Sequence, residues 1–126
     1  MRVTVLGCWA PYPRTGGACS GYVLQDGASN VLLDVGHGTF SRLGQFFAPH
    51  AMGAVVLTHL HPDHCGDLPC LRHAVAGALR TGRMRRDKIP LYLPKEPTQI
   101  AQEIATYTDA FAITYIEDLP LSLIHI

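Results

Sequence analysis

The sequence predicts an α/β fold, with helices packed on a sheet. Three observations lead there. Short apolar, β-rich runs alternate with stretches of helical periodicity, Gly and Pro mark the boundaries, and one continuously apolar run, "AVVLT", reads as a buried strand. The chain has 126 residues, 48% apolar and 16% charged, which suits one globular domain with a core. Ten basic residues balance ten acidic ones, so bulk charge offers no attraction to nucleic acid or anionic lipid. No apolar run approaches the ~20 residues that span a bilayer, and no membrane association is expected.

The elements follow in order. "RVTVLGC" is β-branched and closed by glycine, a first strand; "WAPYPRTGGACS" is a Pro/Gly-rich loop. Strands near 21–25 and 30–35 flank "DGAS", with Asp26-Gly27 as the turn signal of a hairpin. Apolar residues at 40, 43, 46 and 47 predict a helix over "GTFSRLGQFF". "AVVLT", 54–58, is the buried strand, and apolar residues at 68, 71, 75 and 79 mark an amphipathic helix after it. "IPLYLP", 89–94, is a further strand. A helix over "EPTQIAQEIATYTDAF", with Pro97 in its first turn, leads to a last strand, "AITYIED". The N-terminus lacks a signal-peptide pattern, and Cys8, Cys19, Cys65 and Cys70 do not form a secreted disulfide framework, so reduced thiols in the cytoplasm are expected.

The chemistry concentrates in "THLHPDHCGDLP", 58–69, which holds three of the seven histidines. His59 and His61 are two apart after a strand, and in extended chain such residues share a side. Pro62 holds His61 extended, and Asp63 and His64 follow where the chain turns into a helix. This spacing suits two neighbouring cations, His59 and His61 on one, Asp63 and His64 on the other. Nitrogen and oxygen ligands favour zinc, with manganese or iron as alternatives. A structural zinc site from Cys65, Cys70 and His73, with His61 or His64, is the competing metal reading, and a solvated polar loop is the plain one.

"AVVLTHLHPDHCGDLPCL" resembles the strand, metal loop and helix start of the metallo-β-lactamase superfamily. "VLGCWAPYPRTGGACSGYVL" is similar to that family's first strand and substrate-facing loop, and "NVLLDVGHGT" to its "LLDxGxG" strand end. "HCGDLPCL" resembles the "GLPGLL" of the ribonuclease Z-like branch, although Pro62 stands where ribonuclease Z usually has Gly, and "PYPRTGGACS" matches its "PTxxRNxxS" loop only loosely. The resemblance implies the N-terminal half of a four-layer αββα sandwich over 1–120, with two zinc ions in the complete protein. It implies a metal-dependent hydrolase that uses a metal-activated hydroxide on RNA or a small phosphodiester, with Asp63 both ligand and catalytic residue. Thioester or lactone hydrolysis, or a non-catalytic zinc-binding role, are the alternatives. A homodimer of the full-length protein is left open.

The family's later ligands, a third His, a bridging Asp and a last His, have no counterpart in these residues. The 126-residue chain is therefore expected to bind metal poorly, to be inactive, and to leave an apolar sheet face open. Asp34, in the resemblance, is buried near the metal loop and accepts hydrogen bonds that hold its shape; a turn-capping Asp is the alternative. Ser20 is a candidate substrate contact, with an ordinary turn serine as the alternative; His37 is near the site in sequence, with a solvated loop histidine as the alternative; and the basic run "RTGRMRRDK" forms a solvated helix end or a phosphate-facing rim. The tail "LSLIHI", 121–126, breaks the preceding pattern and matches one translated frame of a transposon-end sequencing adapter, so a non-native tail is expected.

Overall fold

A computed structural model of the chain describes residues 1–84 and 87–120. Six strands form one sheet in sequence order: β1 (Arg2–Gly7), β2 (Gly21–Asp26), β3 (Ser29–Leu33), β4 (Ala54–Val56), β5 (Ile89–Leu93) and β6 (Phe111–Tyr115). β1, β2 and β3 pair antiparallel, and β3 to β6 run parallel. The helices are α1 (Thr39–Leu43), α2 (Pro62–Cys65), α3 (Leu68–Arg80) and α4 (Thr98–Ile104).

This order fixes the layers. Parallel neighbours joined by right-handed crossovers, always stepping in one direction, put every crossover helix on the same face. That face carries the register row Val23, Leu32, Val55 and Leu91, and all four are fully buried together with Leu71 and Val75 of α3 and Ala101 of α4. The opposite row, Tyr22, Leu33, Val56 and Tyr92, is only half-buried, and Val3 and Val5 of β1 are 51% and 57% exposed. One sheet under one helical layer is half of the expected four-layer sandwich, and the open apolar face is the one expected of that half.

Several boundaries differ from the sequence reading. The hairpin's central residues are Gly27 and Ala28, with Gly27 at φ +60°, because Asp26 still pairs with Ser29 in the ladder. α1 stops at Leu43, where Gly44 caps it, so Phe46 leaves the helical face and is exposed. α4 ends at Ile104, although Tyr107 beyond it still enters the core. Pro97 is the N-cap of α4, one position before its first turn. β3 ends one residue before Asp34, which takes φ +62°, a conformation that Asp tolerates better than most residues. The basic run includes Arg85 and Arg86, which lie outside the described residues, as does the tail 121–126.

Close backbone approach is required at Gly36, where an added Cβ would collide with the Asp63 carbonyl. Gly77, inside α3, faces only the end of Arg80 at 3.9 Å. Gly36→Ala is therefore expected to destabilise by about 2–3 kcal/mol through overpacking, while Gly77→Ala stabilises by roughly 0.5–1 kcal/mol through helix propensity. Urea denaturation midpoints of the full-length protein check both signs.

Candidate metal centre

The carboxyl ends of parallel strands gather at one edge of a sheet, where α/β proteins place their sites. Here β3 delivers Asp34 to that edge, and β4 delivers Thr58 and the histidine run. Asp34 is 2% exposed and receives four donors. Its Oδ1 accepts the Thr58 backbone N–H at 2.7 Å; its Oδ2 accepts Thr58 Oγ1 at 2.7 Å, His64 Nδ1 at 2.7 Å and Ser20 Oγ at 3.4 Å. A buried carboxylate without such partners would be strongly unfavourable.

The Thr58 bond ends β4. Leu57 N–H still bonds to β5, through the Tyr92 carbonyl, but Thr58 N–H turns to Asp34 and the chain leaves the sheet. Pro62 then opens α2, and His64 and Cys65 N–H both bond back to the His61 carbonyl. This turn folds His64 over His59, with ring centroids 3.6 Å apart. Ser20 N–H donates to the Asp63 carbonyl at 3.1 Å, and Val35 N–H to the His64 carbonyl at 2.7 Å, so the loops after β1 and β3 clamp the turn.

His59, Asp63 and His64 each offer one ligand atom within 4.8 Å of the others, and theirs is the only such group of three among the described residues. Sequence spacing pairs His59 with His61 on one cation and Asp63 with His64 on a second. His61 does lie near, its ring 5.1 Å from that of His59 at 89°, but it is exposed and outside the tight group. The donor set fits a divalent cation. His64 Nδ1 lies 2.7 Å from the Asp34 carboxylate, an acceptor for an Nδ1–H, and Nε2 faces Asp63 Oδ2 at 3.3 Å, where a neutral imidazole would offer a lone pair to a cation. Two electron-rich atoms so placed favour a cation between them.

The competing zinc set is not assembled. Cys70 and His73 are exposed on α3, while Cys65 Sγ donates to the Leu60 carbonyl at 3.4 Å. Burial, and then the charges of Asp34 and Asp63, push the Cys65 thiol up to about 11, against the thiolate that zinc requires. Burial foremost, then Asp63, also raises Cys19. Ser20 is buried with its hydroxyl turned to Asp34. His37 lies half-exposed beside Gly66, its Nδ1 3.9 Å from Asp67.

Two residues escaped the sequence reading. Thr58 links both histidines to Asp34, with Oγ1 3.3 Å from His59 Nδ1 and from His64 Nδ1. Asp67 accepts the Gly38 and Phe40 N–H groups at 2.9 and 3.0 Å, and so ties α1 to the start of α3. Thr58 directly precedes the first histidine, and that adjacency was the available signal.

The sequence pattern of the metallo-beta-lactamase superfamily matches residues 14–96. The chain belongs to the metallo-beta-lactamase superfamily. It is 32% identical over 122 residues to the probable metallo-hydrolase YhfI of Bacillus subtilis, covering 97% of this chain and 50% of that protein. It is 36% identical over 69 residues to ribonuclease Z of Mycolicibacterium paratuberculosis, covering 54% of this chain and 25% of that enzyme. The crystal structure of YhfI superposes with TM-score 0.83 at 29% identity, over 90% of this chain and 46% of that one. Human tRNase Z, short form, shares the fold with TM-score 0.67 at 23% identity, over 97% of this chain and 49% of that one. The chain thus spans about half the length of YhfI, its relative along nearly all its residues.

Two outcomes are expected of this metallo-beta-lactamase site. Asn also tolerates the left-handed backbone of Asp34, so Asp34→Asn removes the charge with little strain. It should weaken zinc affinity of the full-length protein by about 10- to 100-fold, as read by chelator competition. Cys65, with its raised value against an ordinary 9.0, should be only about one per cent thiolate at pH 9. In metal-free native protein, iodoacetamide should modify exposed Cys8 and Cys70 at that pH, with Cys65 reacting only as the pH nears 11, as followed by peptide mass mapping.

Proposed function

We propose that the protein carrying this chain is a metal-dependent hydrolase of phosphodiesters, related in activity to ribonuclease Z. The observation that carries the reading is the ligand group of His59, Asp63 and His64, held at a strand's carboxyl end by buried Asp34. His61 joins this set, and zinc is the metal that its nitrogen and oxygen donors favour. A cation held there would supply Lewis-acid stabilisation of a phosphoryl group and hydroxide at neutral pH. The reading requires further protein ligands from outside these residues, because a dinuclear centre needs more donors than this group provides.

Each residue has a stated part. Asp34 fixes the His64 ring through Nδ1, so that Nε2 stays aimed at the metal position. Thr58 bridges Asp34 and the two rings and holds their spacing. Asp63 has no protein donor on Oδ1 among the described residues, and in this reading that oxygen would accept a hydrogen bond from the attacking water and orient it. The phosphodiester class is supported by the likeness to ribonuclease Z, which extends over 54% of the chain.

The full-length protein, loaded with zinc, should cleave bis(p-nitrophenyl) phosphate with higher kcat/KM than a model thioester or lactone, and lose the activity to a chelator. A preference for thioester or lactone would instead assign the site to that class of ester.

A further inference from the structure

The candidate ligands lie on two kinds of backbone. His59 and His61 fall between β4 and α2, while Asp63 and His64 belong to the α2 turn. One residue, Pro62, joins the two stretches. His61 before it has φ −71° and ψ 150°, the extended geometry that a following proline favours. Pro62 is itself the first residue of the turn. Its ring holds φ near about −65°, as a first helical residue requires, and the N–H it lacks would have no partner within the turn.

The turn has little else at its start. Four residues are too few to make a stable helix alone, and the His61 N-cap gives no side-chain bond. The clamps from Ser20 and Val35 act on the carbonyls of Asp63 and His64. The His61 and Pro62 carbonyls accept only from within the loop among the described residues, from His64, Cys65 and Gly66 N–H. Closing the turn also crowds ligand atoms of His59, Asp63 and His64 within 4.8 Å of one another, which opposes closure when no cation lies between them. Pro62 is exposed, on the wall of an open cavity of about 220 Å³ that it shares with Leu60, Cys65 and Tyr107. Its ring is therefore not wedged into the core, and its effect is on the backbone.

We propose that Pro62 is a positioning residue that keeps the α2 turn closed before metal arrives, with His61 on one side of it and Asp63 and His64 on the other already placed. Proline acts by removing conformations from the less ordered state, which here is the metal-free loop with its turn open. Apparent metal affinity scales with the fraction of protein in the competent, closed form, so a looser turn weakens binding with every ligand still present. The inference rests on the metal centre in the proposed function and is independent of the substrate class.

The test compares full-length wild type with Pro62→Ala and Pro62→Val. Both variants free the backbone, and Val keeps the apolar volume on the cavity wall. Zinc affinity, read by chelator competition, should weaken about two- to fivefold in both. In the metal-free proteins, amide exchange at His64, Cys65 and Gly66 should quicken by a similar factor, and zinc should suppress the difference. A merely structural role would lower the urea midpoint and leave zinc affinity and the local exchange rates at their wild-type values. Wild-type zinc affinity or wild-type exchange in the two variants overturns the proposal. Full affinity in Pro62→Val with a loss in Pro62→Ala assigns the effect to side-chain volume and also overturns it. A wild type that takes up no zinc overturns the metal centre itself, and this shows before any variant is compared. Hydrolysis is not read, so failure of the phosphodiesterase reading is seen separately.

Discussion

The Asp34 carboxylate is the constraint on which the site depends. It sits at φ +62°, nearly free of solvent, and collects donors from three separate segments. Hydrogen bonds to a charged group contribute about 1.5–3 kcal/mol each, and leaving such a group unpartnered indoors costs far more. The carboxylate therefore holds Ser20, Thr58 and His64 where they are, and they in turn make its burial tolerable. Through Thr58 it decides where β4 stops, and through His64 it decides which imidazole nitrogen faces the metal position.

The sheet order carries the second consequence. One-way parallel stepping leaves a single helical layer and an apolar row on the other face. It also lines the ends of β3 and β4 along one edge, so Asp34 and the group of His59, Asp63 and His64 come from adjacent strands. The chain spans about half of YhfI, and the fold it shares with that half extends over 90% of its residues.

Much of this was legible from residue order. "LLDVG" and "HLHPDH" each sit at a strand end, and strand ends are visible as apolar runs broken by polar residues or glycine. The α3 stripe of Leu68, Leu71 and Val75 was equally plain, and all three are buried. What periodicity could not show was contact between distant short polar residues. Thr58 meets Asp34 across 24 positions, and Asp67 caps α1 across 27, and neither spacing leaves a pattern. Extended-chain geometry sets His59 beside His61, and it is the α2 turn that brings His64 back over His59 as well. Phe46 and Phe47 continue the helical spacing in sequence, although α1 ends at Leu43 with Gly44 as its cap.

Asp34 sets the His64 ring, holding Nδ1 toward its carboxylate and leaving Nε2 for a metal. Long-range proton–nitrogen correlation spectra of the ¹⁵N-labelled, full-length protein measure this directly, before and after zinc. The metal-free protein should carry a proton on His64 Nδ1, toward Asp34, with zinc shifting the Nε2 resonance and leaving the Nδ1 proton in place. An Nε2–H form, or a zinc shift at Nδ1, would contradict it.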